Sequence, residues 1–437
     1  MKRLQTIPGA NIFRRTTNSH DNSITTRCSI TQINRCSGLA SVLGGILGLV
    51  LFLLALTVIA SPPPAPAQGA ATTGASETFQ TVAPGIEYLQ LVRGRKSDSE
   101  TTGPWIINLL RIDLRQAKLR MVHAMDEAVG LETVSSMAAR YRAIAAVNSG
   151  YFITTGTYRG DSLGVGVLNG KLISEPYNNR ASMGLIQKPG QQEVVLGHLK
   201  FNAVLGAGRT AKRLVNGFNR SRRENELIIF TPEFHRTTLT NPDGLELIVR
   251  RGRVIERRDQ EGSSVIPADG FVVSASGSAR QWALDNLTTG VRLDLKVTLT
   301  PVESAQASLW KQAASIIGGG PQLIKDGRVE ITNAAEKILP SFVSDGHPRT
   351  AIAKLKSGQI LLVTVDGRQP GESIGMSLTM LASLLLEFDA TDAINLDGGG
   401  STTMVIRDKI VNKPSDATGE RPVSDAILVF SREVKPQ

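Results

Sequence analysis

Cysteine is almost missing from this 437-residue chain: Cys28 and Cys36 are the only two, and both precede a long apolar run. Beyond residue 36 there can be no disulfide and no lipoprotein attachment, and the two thiols have no partners at metal-ligand spacing. Histidine is scarce as well, with five in the chain, and no HExxH, CxxC or P-loop pattern occurs. The zinc-hydrolase, dithiol and nucleotide-phosphate chemistries that rest on those motifs are therefore not expected. Aromatic residues make up 5% of the chain and none interleave with a basic run. That combination argues against nucleic acid as a partner.

Charge is absent from residues 39–60, which are mostly Leu, Val, Ile, Ala and Gly. About 20 such residues suffice to cross a bilayer. Lys2, Arg3, Arg14, Arg15, Arg27 and Arg35 lie ahead of the run against a single Asp21, and no basic residue follows it before Arg93. The positive-inside rule then predicts a cytoplasmic basic tail at 1–38, a transmembrane anchor or signal segment at 39–60, and an exported remainder. Ala65-Pro66-Ala67 offers a small-residue cleavage pattern, which would release the remainder, but the apolar run is longer than a typical signal-peptide core and favours an uncleaved anchor. Residues 61–78, rich in Pro and Ala, read as a linker, and a globular domain is expected over 79–437. About half of the formal net charge of +10 belongs to the tail, so the exported part is only mildly basic. Such a balance suits a phosphate-bearing or acidic polymer.

Turn signals punctuate the domain. Asn169-Gly170, Arg251-Gly252, Asp326-Gly327 and Ser357-Gly358 each separate two apolar runs and predict hairpins. Val291, Leu293, Leu295, Val297 and Leu299 alternate with polar residues, the period of a strand with one wet face. Ser377 is placed to cap a helix whose Leu381, Leu384, Leu385 and Phe388 share one face. Strand, helix and strand from Leu361 to Asp397 predict a βαβ crossover that brings Asp366 and Asp397 to the same sheet edge. The fold class expected is α+β, a mixed, largely antiparallel sheet with hairpins and one βαβ crossover, preceded by a transmembrane helix. Residues 186–300 carry strands and a basic stretch at Arg220, Arg222 and Arg223 but no nameable chemistry, and are expected to form a subdomain.

The stretch Asn395-Leu396-Asp397-Gly398-Gly399-Gly400-Ser401 ends an apolar strand in one carboxylate and three glycines. A triple glycine is entropically costly and is tolerated where backbone turns sharply or approaches a ligand. A tight turn whose Asp bonds its own backbone is the alternative. Similar strand ends recur at Asn148-Ser149-Gly150-Tyr151-Phe152, Gly318-Gly319-Gly320-Pro321 and Asp366-Gly367-Arg368, and convergence of all four on one cleft is expected. Arg349 offers a guanidinium fork for a phosphate, His347 lies two residues before it, and the glycine-loop amides could form an anion-binding concavity. A phosphorylated sugar or polymer is the ligand these groups suit.

These segments, with Arg349-Thr350-Ala351, Ser373 and Gly375, resemble the phosphodiester glycosidase family over roughly residues 140–430. The chain shows Ser149 where that family usually has glycine, and Asp425 in a segment where an amide is expected. The resemblance implies hydrolysis of a sugar-1-phosphodiester at the anomeric carbon-oxygen bond. It implies Asp397 as the carboxylate, Arg349 on the phosphate and Asp366 as a second carboxylate. Asn148, Gly150, Gly318, Gly319, Gly320, His347, Ser373, Gly398, Gly399, Gly400 and Ser401 would position sugar and phosphate. No cofactor is required by that chemistry, although paired aspartates are also donors suited to a divalent cation. The same cleft without turnover would make a non-catalytic exopolysaccharide- or cell-wall-binding module.

Overall fold

The computed structural model describes residues 78–94 and 103–432. The apolar run at 39–60, the tail before it and nearly all of the linker lie outside the described residues. Among the described residues no helix is long and apolar enough to cross a membrane.

Apolar residues at every position of Ile360–Val365 require cover on both faces, and that strand lies inside an eight-stranded sheet. Its order is Gln80–Ala83, Ile86–Arg93, Trp105–Ile112, Ile360–Val365, Arg349–Leu355, Ala390–Asn395, Gln322–Lys325, Arg328–Val329. Leu361, Val363 and Val365 face the helix Leu378–Glu387, while Ile360 and Leu362 face a second core shared with Met121, Val147, Met183 and Ile427. The Ser377 hydroxyl accepts the Met380 N–H at 3.2 Å and so caps the helix. Leu381, Leu384 and Leu385 are buried against the sheet, and Phe388 packs at its end.

The crossover is present with one refinement. Ile360–Val365 and Ala390–Asn395 are parallel but not adjacent, because Arg349–Leu355 lies between them and pairs antiparallel with both. This arrangement sets the last residues of two strands and the first residue of the third at one edge. Asp366, Arg349 and Asp397 thus share an end of the sheet.

Three further sheets complete the domain. Ala145–Asn148 lies in a five-stranded sheet between Met404–Ile406 and Asp425–Ser431, with Ala117–His123 at its edge. A seven-stranded sheet holds Ala181–Lys188 beside Ala313–Gly318 and the long strand Gln191–Ala207, on which Leu293–Pro301 pairs with exposed residues alternating with buried or half-buried ones. The last five-stranded sheet, within residues 217–259 and Gly270–Ala275, packs with the helix Gly277–Asn286 around an apolar core that it shares with Ala203, Leu205, Ala207 and Leu293 of the seven-stranded sheet. One pair, Gly217–Phe218 with Leu227–Phe230, is parallel, and the other ladders described are antiparallel. Hairpins form at all four turn signals, with Asn169, Arg251 and Asp326 at positive φ ahead of their glycines. The result is a sheet-rich α+β fold with few helices.

Candidate active site

The four glycine-bearing strand ends meet. The Asn148 side-chain amide donates to the Asp397 carbonyl at 2.6 Å, and the Asp397 N–H donates to the Ser149 carbonyl at 2.8 Å. Gly320 N–H donates to the Asn395 carbonyl at 2.7 Å, and Gly399 N–H to that of Pro348 at 2.8 Å. Arg368 closes the group from the Asp366 side, its guanidinium lying beside Gly399. At Gly400 a Cβ would sit 2.1 Å from an Arg421 nitrogen and 2.2 Å from an Asp416 oxygen, so a larger residue there would push the Arg421–Asp416 pair aside.

Asp397 follows its strand and receives the Gly398 N–H on one carboxylate oxygen at 3.0 Å. It keeps some exposed surface, but protein surrounds the carboxylate closely, and this desolvation pushes its pKa up to about 7. The Ser401 hydroxyl, the Arg421 charge and the Gly398 amide pull it down, while the Asp425 charge pushes it up. Asp397 is therefore a carboxylate that exchanges protons near neutrality, the range in which a general base or an activated carboxylate works best.

Asp366 is also raised by burial, to about 6, and its carboxylate is turned toward the Lys413 N–H, which it accepts at 3.0 Å. Ser373 is a brace here: its hydroxyl donates to the Asp366 carbonyl at 2.7 Å and accepts the Ile106 N–H at 3.0 Å. Among the described residues no group of three or more His, Cys, Asp or Glu side chains is gathered as a metal site would need.

Arg349 reaches the expected edge but turns its fork into the protein. It is 1% exposed. Its Nε donates to the Met376 carbonyl and its Nη2 to those of Phe342 and Asp345, each at 2.8 Å. Bidentate contact with a phosphate through those atoms would first have to break these bonds. His347 is half-buried near the Phe342 ring, and burial together with Arg349 and Arg368 holds its pKa below the usual histidine value. It is neutral at pH 7.

The glycine amides are also largely engaged. Gly319 donates to the Ala181 carbonyl, Gly320 to Asn395, Gly398 to Asp397 and Gly399 to Pro348. These glycines permit close backbone packing; their amides do not form the open anion concavity expected from the sequence. Asn148 likewise serves the frame, since its Oδ1 accepts from the Thr350 hydroxyl at 2.9 Å and the Thr403 N–H at 3.1 Å. Gly150 lies against the buried Asp425, whose carboxylate accepts from the Gly150 N–H and the Ser149 hydroxyl, both at 2.5 Å. Ser401 is buried close to Asp397, and Gly318 packs on Gly164.

Several polar residues enter the site without having been chosen from the sequence as site residues. The Tyr151 hydroxyl donates to the Gly320 carbonyl at 2.8 Å and accepts from Asn395 at 2.7 Å, within the fields of Asp397, Arg180 and Arg349. Arg180 stacks 4.8 Å over the Tyr151 ring and 5.2 Å from that of Tyr177. Arg421 holds Asp416 through two hydrogen bonds of 2.7 and 2.9 Å. Tyr151 and Arg368 stood in legible motifs, whereas Arg180 had no local signal beyond the Asn178-Asn179 turn before it.

Residues 243–430 match the family model for phosphodiester glycosidase. That span contains Arg349, Asp366, Asp397, Arg421 and Asp425; Asn148, Tyr151 and Arg180 precede it. The N-acetylglucosamine-1-phosphodiester alpha-N-acetylglucosaminidase of Mus musculus is 30% identical over 188 residues, covering 39% of this chain and 35% of that protein. The chain thus spans little more than a third of that relative's length. Among solved structures, a hypothetical protein from Synechocystis superposes with a TM-score of 0.67 at 25% identity, over 80% of this chain and 62% of the other. A protein from Burkholderia pseudomallei gives a TM-score of 0.69 at 22% identity, over 81% and 96%, a likeness of fold alone.

Proposed function

We propose that this chain hydrolyses sugar-1-phosphodiesters at the bond between the anomeric carbon and the phosphate oxygen. The observation that carries the reading is Asp397, a crowded carboxylate with a pKa of about 7 at the glycine-lined strand end within the matched span. In the reaction the oxygen of water bonds to the anomeric carbon as the carbon-oxygen bond to phosphate breaks. The electron pair leaves with the phosphomonoester, and a proton from the water passes to Asp397 or to solvent. A phosphate leaves readily, so general-acid assistance matters less than a carboxylate facing the positive charge that develops at carbon.

The exported placement belongs to the same proposal: an anchor at 39–60 would hold the domain outside the cytoplasmic membrane, where envelope or extracellular glycoconjugates supply the substrate. What supports it is the basic tail ahead of the uncharged run. Protease added to intact spheroplasts should digest the domain.

The bond that breaks is tested by hydrolysis in oxygen-18 water, with the sugar analysed before mutarotation exchanges the label. Oxygen-18 on the anomeric hydroxyl is the expected result. Label in the phosphomonoester would mean attack at phosphorus and would overturn the assignment.

A further inference from the structure

Arg349, the expected phosphate ligand, has its Nε and Nη2 on three backbone carbonyls, so its two-pronged edge is spent inside the protein and a second cation is the better candidate for a phosphodiester. Arg180 meets the need. Tyr177-Asn178-Asn179-Arg180 is a tight turn closed by the Arg180 N–H on the Tyr177 carbonyl at 3.0 Å, with Asn178 and Asn179 at φ of 50° and 55°. Asparagine is among the residues that best tolerate that left-handed conformation. The turn sets Arg180 next to Tyr177, and its guanidinium then lies over the Tyr151 ring as well. Two aromatic faces hold the cation in one orientation, which lowers the entropy lost when it engages a ligand.

What the guanidinium lacks is an anion. Its Nε is buried without a hydrogen-bond partner, and among the described residues no carboxylate pairs with it. Of the buried Glu336 carboxylate near its backbone, one oxygen is taken up by His198, the Gln322 N–H and the Thr332 hydroxyl, and the other accepts the Ala181 N–H at 3.2 Å. A desolvated donor left open in this way is costly in a folded protein unless a ligand completes it. The other cations of the site differ. Arg421 already holds Asp416, and Arg368 is exposed beside Gly399.

We propose that Arg180 is the phosphate-binding residue of this site, taking the phosphodiester on its guanidinium while Asp397 faces the anomeric carbon across the Tyr151 hydroxyl. The assignment rests on the phosphodiester glycosidase reading and adds to it a residue outside the matched span. Tyr151 links the two ends, because its hydroxyl feels both the Asp397 and the Arg180 charge.

The test compares Arg180→Gln, Arg180→Lys and Arg368→Gln with the parent protein. Inorganic phosphate binding, measured by calorimetry, should weaken about 10- to 100-fold in Arg180→Gln, the range for losing a charge-assisted hydrogen-bonded contact. Turnover of a sugar-1-phosphodiester should fall by a similar factor in kcat/KM, whereas hydrolysis of a 4-nitrophenyl glycoside of the same sugar, which has no phosphate, should fall by a much smaller factor. Arg180→Lys should recover only part of the phosphate binding. Equal loss on both substrates would mean that Arg180 merely supports the fold, and the proposal would fall. Loss of phosphate binding in Arg368→Gln instead of Arg180→Gln would overturn it too. If the parent turns over no phosphodiester, the glycosidase reading fails, and the phosphate titration still decides the role of Arg180.

Discussion

The side-chain amide of Asn148 donates to the main-chain carbonyl of Asp397 at 2.6 Å, joining two sheets at the point where the candidate carboxylate leaves its strand. The same side chain accepts from Thr350 and Thr403 through Oδ1. One buried residue thus fixes three segments, and the Asp397 carboxylate takes its position from them.

Replacing Asn148 with alanine should therefore lower both stability and turnover. Three partners lose a bond, two of them through buried bonds, and an unsatisfied buried polar group costs roughly 1–3 kcal/mol, so a loss of at least about 2 kcal/mol is expected in urea denaturation. In kinetics kcat should fall more than KM rises, because Asp397 would be displaced from the reacting carbon. A variant with parental kcat would show that Asp397 holds its place without this brace.

The Asp397 pKa has a consequence for stability whose sign is opposite to that of a salt-bridged carboxylate. Its folded value of about 7 stands above the ordinary 3.8. Between those values the folded protein retains a proton that the unfolded chain has released, so this group makes stability fall as pH rises through the window. Asp397→Asn cannot ionise and keeps the shape. Its melting temperature should exceed the parent's at pH 8, with the gap closing as pH drops toward 4, while turnover is abolished. A gap that does not change with pH would place the Asp397 carboxylate in an ordinary solvated environment.

Arg349→Lys tests whether that residue belongs to the frame. Lysine cannot replace a planar group that donates at once to Met376, Phe342 and Asp345. With the buried Met376 carbonyl losing this donor, and those of Phe342 and Asp345 left to water, a loss of roughly 1–3 kcal/mol is expected, the cost of one unsatisfied buried group. Inorganic phosphate binding by the folded fraction should stay near parental. A stable variant that no longer binds phosphate would return the phosphate to Arg349.

What was legible in the sequence is what local chemistry determines. Asn169-Gly170, Arg251-Gly252 and Asp326-Gly327 specify hairpins because their φ preferences operate within the turn itself. Ser377 and the leucines after it specify a helix for equally local reasons, and the helix orders the two strands that carry Asp366 and Asp397. Direction and burial of a guanidinium are decided elsewhere. Arg349 turns inward because Met376, Phe342 and Asp345 present carbonyls to it, and Arg180 reaches the site because Ala181 pairs with the Gly318–Gly320 segment far along the chain. Phe342 and Asp345 lie close to Arg349 in sequence, but nothing in that window announces that their carbonyls turn toward it, and Met376 and the Gly318–Gly320 segment lie outside any local window. The glycine loops show a related limit: composition announces close packing, but whether the amides face a ligand or a neighbouring strand depends on which sheet arrives beside them.

Asp425 offers the most selective electrostatic test. Its buried carboxylate accepts from Ser149, Gly150 and Ser424, and its charge raises the Asp397 pKa. Asp425→Asn can retain the two bonds on one oxygen while its amide donates to the Ser424 hydroxyl, so the Ser149-Gly150 turn should keep its shape. The negative charge is lost. Asp397 should then ionise at lower pH, and the ascending limb of the kcat/KM profile, which follows its deprotonation from the low-pH side, should move to lower pH than in the parent. The plateau rate at high pH, where Asp397 is ionised in both proteins, should change little by comparison. A limb that stays in place would separate Asp425 from the control of Asp397, and a limb that moves upward would mean that the group titrating in the profile is not Asp397.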